Sequence, residues 1–148
     1  MIISVLNTLV SGMTSGTDTF TFGFGPEWFA NLDLDEADFP IVFLDQPVPI
    51  EFQAAQSGYI GETYPITLFF MYKAELDYTP TEHDSNCIEP ARLAIRQFIS
   101  VLQDSDLIDE VDVNGDALEF TNLLDVAVSG ISIPLSIKLN INASVCIQ

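Results

Sequence analysis

Residues 66–76 read ITLFFMYKAEL, and this stretch opens a segment, running to Leu102, around which the other elements can be arranged. Its apolar residues fall on both faces of an extended chain, because side chains alternate with a period of two. The first face carries Ile66, Leu68, Phe70 and Tyr72, and the second carries Phe69 and Met71. The stretch therefore predicts a strand that begins near Pro65 and is at least partly covered on both faces.

A polar segment and a helical pattern follow this strand. Residues 79–85, TPTEHDS, combine turn formers with polar side chains, which predicts a loop. Apolar residues then recur every three or four positions, as on one face of a helix: Ile88, Ala91, Ile95, Phe98, Ile99 and Leu102. We expect a helix over about 86–103 that is capped by Ser85 or Asn86. Pro90 would lie within or just past its first turn, where a missing amide costs little.

The rest of the chain predicts a second helix and several strands. Helical apolar spacing covers about 2–13, and strand patterns cover 20–24, 39–44 and 50–54. Asn114-Gly115 predicts a hairpin over 107–120, since Asn-Gly is a strong hairpin-turn signal. Gly130 is a candidate bulge in a strand over 126–133, and Pro134 separates that strand from the last one. The last strand, 135–147, alternates throughout and would span roughly 40 Å, enough to project beyond the core and pair with a neighbour.

These elements predict one α+β domain over residues 1–148. Its antiparallel or mixed β-sheet would carry the N-terminal helix and the longer helix, about 86–103, on one face. The domain would be organised as an N-terminal helix, a central strand–loop–helix unit over about 59–103, and C-terminal strands over about 107–147.

The net charge is the outlying property of the composition. The 148 residues include 22 acids against Lys73, Arg92, Arg96 and Lys138, for a formal charge of -18. Such a charge repels phosphate, which disfavours a static nucleic-acid binder and an anionic membrane surface. An acidic surface can keep an apolar protein soluble, or it can line a passage through which nucleic acid slides without sticking.

Cysteine usage and hydropathy add expectations about the chain's surroundings. Cys87 and Cys146 are far apart in sequence, and we expect both to be reduced. Residues 1–5 hold no basic side chain, so we expect no signal peptide. No run reaches eighteen apolar residues, so we expect no transmembrane helix.

No motif predicts a catalytic or metal site. Asp112, Asn114 and Asp116 have the first spacings of a calcium loop, but that loop needs glycine where Ala117 stands. His83 and Cys87 are four residues apart, without the further ligands that zinc requires. Serine-hydrolase and phosphate-loop motifs are absent from the sequence, and a histidine-based nucleophile would have to use the single histidine. We therefore expect no enzyme activity and no cofactor.

Arg92 and Arg96 lie one helical turn apart and hold half of the positive charge. Two interpretations remain open for them. They can pair locally with Glu89 or with loop acids, each exposed pair contributing only about 0.2–1 kcal/mol. Alternatively, they can contact an acidic neighbouring subunit.

The order of elements resembles the tail terminator, or tail-completion, proteins of tailed bacteriophages. An amphipathic N-terminal helix precedes an acidic link and the strand 39–44, FPIVFL; a long strand, a polar segment, a helix and closing strands follow. The resemblance is one of layout over most of the chain. It implies a virion protein, assembled in the host cytoplasm, that forms a closed ring, typically a hexamer, at the top of the tail. Such a ring ends the tail tube and joins it to the head.

The resemblance also implies the partners: further copies of the chain, other virion proteins of the tube, neck or connector, and double-stranded DNA in transit. A hexamer would carry roughly -108 formal charges, which would keep DNA from adhering to the bore. We expect the acidic segments 27–45 and 104–125 to form the lumen or rim. Their candidate residues are Asp33, Asp35, Glu36, Asp38, Asp104, Asp106, Asp109 and Glu110.

Two alternatives to a tail terminator stay open. One is another head–tail joining or neck ring protein of a phage, which only its location in the particle would distinguish. The other is a non-viral, acidic ligand-binding or interaction domain, which should be monomeric.

Overall fold

The elements of the structure follow the predicted order, with changed boundaries. The computed structural model describes residues 2–15, 18–24, 39–45, 47–54, 56, 60–75, 77–121 and 128–140. In chain order the elements are α1 (Ile2–Ser11), β1 (Thr14–Ser15), β2 (Asp18–Thr19), β3 (Thr21–Phe24), β4 (Ile41–Leu44), β5 (Glu51–Ala54), β6 (Ile60–Lys73), α2 (Pro80–His83), a π-helical turn (Asp84–Ile88), α3 (Glu89–Asp104), β7 (Ile108–Val113), β8 (Leu118–Phe120) and β9 (Val128–Leu139).

A long antiparallel pair, β6 with β9, forms the centre of a mixed seven-stranded sheet. The two strands pair from Thr63↔Lys138 to Lys73↔Val128 without a register shift. Each long strand pairs on its other side with two short strands: β6 with β4 and β5, and β9 with β7 and β8. Strand β3 pairs in parallel with β4, whereas β1 and β2 pair with each other. With helices on one face, this sheet confirms the predicted α+β class.

Both faces of the sheet carry buried apolar residues, as predicted. On the helix face, α1 and α3 pack on the sheet, and the rings of Phe70 and Phe98 lie 5.6 Å apart. On the other face, called the outer face below, Ile41, Phe43, Met71 and Val128 form a smaller buried cluster. Phe39, Phe69 and Phe120 pack against this cluster. The period of two along β6 therefore divides its residues between two cores.

The helical segment begins earlier than predicted. Residues 80–85 are helical rather than a loop, because Thr79 caps the helix in place of Ser85 or Asn86. The Glu82 N–H donates to Thr79 Oγ1 at 3.2 Å, and the Thr79 N–H donates to Glu82 Oε1 at 3.2 Å. This reciprocal capping box, with Pro80 in the first turn, satisfies two amides that would otherwise lack partners.

Pro90 is accommodated by the π-helical turn. It is the second residue of α3, but helical backbone precedes it as far as Pro80, so the predicted location within or just past a first turn is wrong for the whole segment. The Glu89 N–H donates to the Asp84 carbonyl, five residues back instead of four. A helix-interior proline lacks a donor and crowds the carbonyl four residues earlier. The wider turn therefore replaces the ordinary four-residue hydrogen-bond spacing immediately before the proline.

The predicted hairpin at Asn114-Gly115 is wrong. β7 and β8 do not pair with each other; both pair with β9, opposite residues 135–139 and 130–132 respectively. The Asn114 N–H donates to the Pro134 carbonyl at 3.0 Å, which shows that Pro134 directs its polar groups toward β7 and β8. Because proline has no N–H to offer there, the edge strand is interrupted beside it.

Two further expectations for the C-terminal strands are corrected. Pro134 lies inside β9 and does not divide it, and Gly130 is paired in register with Met71 rather than bulged. A Cβ atom at Gly130 would overlap the Phe70 carbonyl, so glycine permits a close approach of the two strands. The register shift lies instead between Ile108 and Glu110. The alternation predicted for the last strand is seen in the burial of Leu135, Ile137 and Leu139, while residues 141–147 lie outside the described residues.

The other boundaries agree more closely with the sequence patterns. The N-terminal helix, β5 and the start of β4 just after Pro40 lie where the patterns predict them. The central strand begins at Ile60, so Pro65 lies within it rather than at its start. β4 lies between β3 and β6 and is buried at all four positions.

Candidate assembly surfaces

The two arginines of α3 lie beside β8. Arg92 Nη1 is 2.9 Å from Glu89 Oε2, and Arg92 Nη2 is 3.6 Å from Glu119 Oε1. The local pairing of Arg92 with Glu89 is thus confirmed, and Glu119 is a second partner that sequence spacing could not indicate. The side chains of the Arg92–Glu89 pair are each about half exposed, so the pair contributes only about 0.2–1 kcal/mol.

A cleft of about 300 Å³ lies between α3 and the edge formed by β8. We call it the arginine cleft; its lining residues are Arg92, Ile95, Arg96, Ala117, Glu119 and Ile131. Ile95 and Ile131 are largely buried and give the cleft apolar walls, whereas Arg96 is exposed at its mouth. Apolar walls combined with guanidinium groups suit an aromatic or aliphatic side chain accompanied by a carboxylate.

The turn between α3 and β7 forms a second charged surface. Its four predicted residues are all exposed, and we call them the acidic end: Asp104, Asp106, Asp109 and Glu110. Asp104 ends α3, and Asp109 lies at the register shift of β7. These four residues thus lie between the last residue of α3 and the first half of β7. The other four candidates, Asp33, Asp35, Glu36 and Asp38, lie outside the described residues.

A shallow depression of about 250 Å³ extends this charge onto the outer face. Its lining residues come from β5, β6, β7 and β9: Glu51, Gln53, Thr63, Glu110, Asp112, Ser136 and Lys138. Three carboxylates thus share the depression with one ammonium group. At the residues that the structure describes, no group of three or more His, Cys, Asp and Glu side chains is arranged to hold a metal ion.

The π-helical turn lies over a buried polar cluster. His83 is 7% exposed, and its Nδ1 atom is 3.0 Å from Ser129 Oγ on β9. The imidazole also meets the Tyr78 ring edge-on at 5.4 Å. The sequence predicts a loop at His83, but the residue lies in the first helical turn, where its hydrogen bond connects the helix to the sheet. Because Ser129 is fully buried, this pair is out of reach of a substrate and is structural.

Cys87 lies in the π-helical turn and is fully buried. Its thiol donates to the Lys73 carbonyl at 3.6 Å. Burial raises the pKa of the Cys87 thiol to about 11, so it is protonated and a poor nucleophile at neutral pH. The structure thus gives Cys87 a packing role. Cys146 lies outside the described residues.

Tyr64 and Glu62 form a polar contact on β6 near β5. The Tyr64 hydroxyl donates to Glu62 Oε2 at 2.9 Å. Burial, followed by this hydrogen bond and the Glu62 charge, raises the pKa of Tyr64 to about 12. Across from Glu62, Phe52 of β5 is 68% exposed, which is unusual for a phenyl ring.

The sequence matches no protein-family model, and no curated protein is similar to it. Among the described helices, none is both long and apolar enough to cross a membrane.

Proposed function

We propose that this chain is a structural subunit of a tailed bacteriophage, a tail terminator or tail-completion protein that assembles into a ring at the top of the tail. In this role the ring ends the tail tube, joins it to the head and lets DNA pass. The function is assembly rather than catalysis, and no cofactor takes part.

The exposed acidic end is the observation that carries this proposal. Four exposed carboxylates at the junction of α3 and β7, with further acids in the depression, form a surface that repels phosphate. Repeated around a ring, it would form a bore or rim from which a DNA duplex is released as readily as it enters. The α+β sheet with helices on one face is compatible with the layout of elements that tail terminators have.

Placement in the particle tests the proposal. A cryo-electron microscopy reconstruction of a tailed particle that carries this chain should show copies of it in a ring at the head–tail joint, with the acidic end toward the bore. A neutral or basic bore would contradict the assignment of the lumen. A mature particle without the chain would refute the function itself, whereas a ring elsewhere in the neck would favour another head–tail joining protein.

A groove of about 420 Å³ favours the second candidate, a non-viral ligand-binding or interaction domain. It lies between the β1–β2 region and α3 and is lined in part by Phe20, Pro90 and Leu93. A domain of this kind should remain monomeric at micromolar concentration. Light scattering of the purified chain separates the two candidates, because a ring subunit should assemble either alone or on its partner.

A further inference from the structure

The exposed Phe52 and the arginine cleft lie on opposite edges of the sheet. Thr63 of β6 pairs with Glu51 of β5 on one side and with Lys138 of β9 on the other. The cleft lies beyond β9, next to β8. A contact between these two features therefore joins one copy to the next head to tail, which is the type of interface that closes into a ring.

The two features also face the same side of the sheet. Phe52 pairs with Glu62, which is an even number of residues from Phe70 along β6 and therefore lies on the same, helix-covered face. The arginine cleft opens on the helix face too, because α3 packs there and Ile131 pairs with Phe70. Along the strands, Phe52 lies level with Glu62 and the cleft lies level with Phe70, eight residues further along β6. The contact therefore requires the next copy to be displaced by roughly 27 Å along the strand direction.

Size and charge are complementary between the two features. The cleft, at about 300 Å³, has room for one phenyl ring between Ile95 and Ile131. Glu62, opposite Phe52 and on the same face of the sheet, would approach the arginines of the cleft, whereas Glu51 faces the outer side. Aromatic rings also bind favourably against guanidinium groups. In a chain with 22 acids and 4 basic residues, a cleft with two arginines is a distinctive place for an acidic surface to dock.

We propose that Phe52 of one copy inserts into the arginine cleft of the next copy, with Glu62 paired to Arg96. This inference rests on the proposed ring and names the contact that would build it. Aromatic side chains that fill a pocket supply a large share of interface free energy, so removing this one should dissociate the assembly.

The test compares three variants with the wild type by analytical ultracentrifugation over a range of concentrations. Phe52→Ser removes the inserted ring, and Arg96→Glu reverses the charge of the cleft. Val113→Ser is the matched control, since Val113 is a 54% exposed apolar residue on β7 that does not line the arginine cleft. All three positions are exposed, so circular dichroism and thermal melting should match the wild type.

We expect the wild type and Val113→Ser to form assemblies larger than dimers. Phe52→Ser and Arg96→Glu should each need about tenfold or more protein to assemble. A mixture of the two defective variants should form heterodimers but no larger assembly. Each mixed pair has one intact contact, between Phe52 of the Arg96→Glu variant and the arginine cleft of the Phe52→Ser variant. A wild type that stays monomeric throughout, or a Phe52→Ser variant that assembles like the wild type, would overturn the inference.

A cross-linking experiment tests the head-to-tail arrangement directly. In a Cys146→Ser background, the double variant Phe52→Cys, Ala117→Cys should give a ladder of products with a short bismaleimide, because Ala117 lines the cleft. Each single variant should give monomers, whereas dimers of a single variant would indicate a symmetric contact and overturn the inference.

Failure of this inference is distinguishable from failure of the proposed function. A particle ring that contains the chain but is unaffected by Phe52→Ser overturns the contact alone. Assembly that depends on Phe52 in a chain that no tailed particle contains overturns the phage function alone.

Discussion

Replacing Gly130 by alanine should destabilise the centre of the sheet. A Cβ atom there would overlap the Phe70 carbonyl oxygen, and it would lie 2.9 Å from the Phe70 carbonyl carbon and 3.2 Å from Met71 Cα. All three atoms belong to the backbone of β6, which is held by β4 on one side and β9 on the other. They cannot rotate away as a side chain would, so the two long strands must separate locally.

The expected cost is about 1–3 kcal/mol, the usual range for overpacking a well-packed interior. For a domain of this size, 1 kcal/mol corresponds to about 2–4 °C in Tm, so the variant should melt about 2–12 °C lower. Urea unfolding followed by circular dichroism gives the free energy of unfolding directly, and the slope with urea should stay unchanged if the same surface is exposed on unfolding.

Gly12→Ala is the matched control for this experiment. The nearest atom to a Cβ at Gly12 is the Leu9 carbonyl oxygen at 3.6 Å, an ordinary contact. This variant should change the free energy of unfolding by no more than about 0.5 kcal/mol, or raise it slightly by restricting the unfolded chain. If Gly130→Ala were as stable as Gly12→Ala, the close approach of β6 and β9 at this position would be wrong.

Three further predictions concern the helical segment. Thr79→Ala should lower the free energy of unfolding by about 0.5–2 kcal/mol because it removes the cap, whereas Thr81→Ala, at an exposed position two residues later, should cost less. Thermal melts of both variants check this, and equal melts would contradict the capping role. Phe98→Ala should cost about 3–5 kcal/mol, measured by urea unfolding, since the ring is fully buried against Phe70; a loss below 1 kcal/mol would contradict that packing. Burial raises the pKa of the Cys87 thiol from 9.0 to about 11, so its contribution to stability is complete below pH 9 and is lost as the pH rises to 11. Cys87→Ala should flatten that part of the curve of unfolding free energy against pH. An unchanged curve would argue against the burial of the thiol.

Residue patterns predict the central elements because those elements are periodic over many residues. β6 alternates between two buried faces, and α3 presents buried residues every three or four positions. Burial of one consistent face enforces both patterns, so local sequence and tertiary structure agree. The same holds for α1 and for β9 up to Leu139.

Turn chemistry is where sequence reasoning was wrong, and the missed signal differs between cases. For the helix start it was present: Thr79, Pro80 and Glu82 have the spacing of a capping box with an early proline. For Asn114-Gly115, the local preference for a hairpin was overridden by pairing with β9. No local pattern reports that a strand some twenty residues later accepts both halves of the edge.

Of the candidate surfaces, one could be predicted from the sequence and the others could not. The acidic end follows from composition, because carboxylates close in sequence remain close in space. The arginine cleft needs Glu119, Ala117 and Ile131 from other strands, and the His83–Ser129 contact joins residues 46 positions apart. These groupings arise from the antiparallel return of β9, so a single sequence contains no local signal for them.

The edges of the sheet favour a docked side chain over continuation of the sheet into a neighbour. On one edge, β7 carries exposed acids and a register shift near Asp109, and residues 114–117 interrupt it before β8. Charges, irregular register and short strands are features that prevent strands from pairing edge to edge. β5, on the other edge, is four residues long, so a strand contact there would supply few hydrogen bonds. Insertion of the Phe52 phenyl group into the arginine cleft does not require either edge strand to pair regularly. The polar groups around Phe52 would remain at the rim of the interface, where water can solvate them.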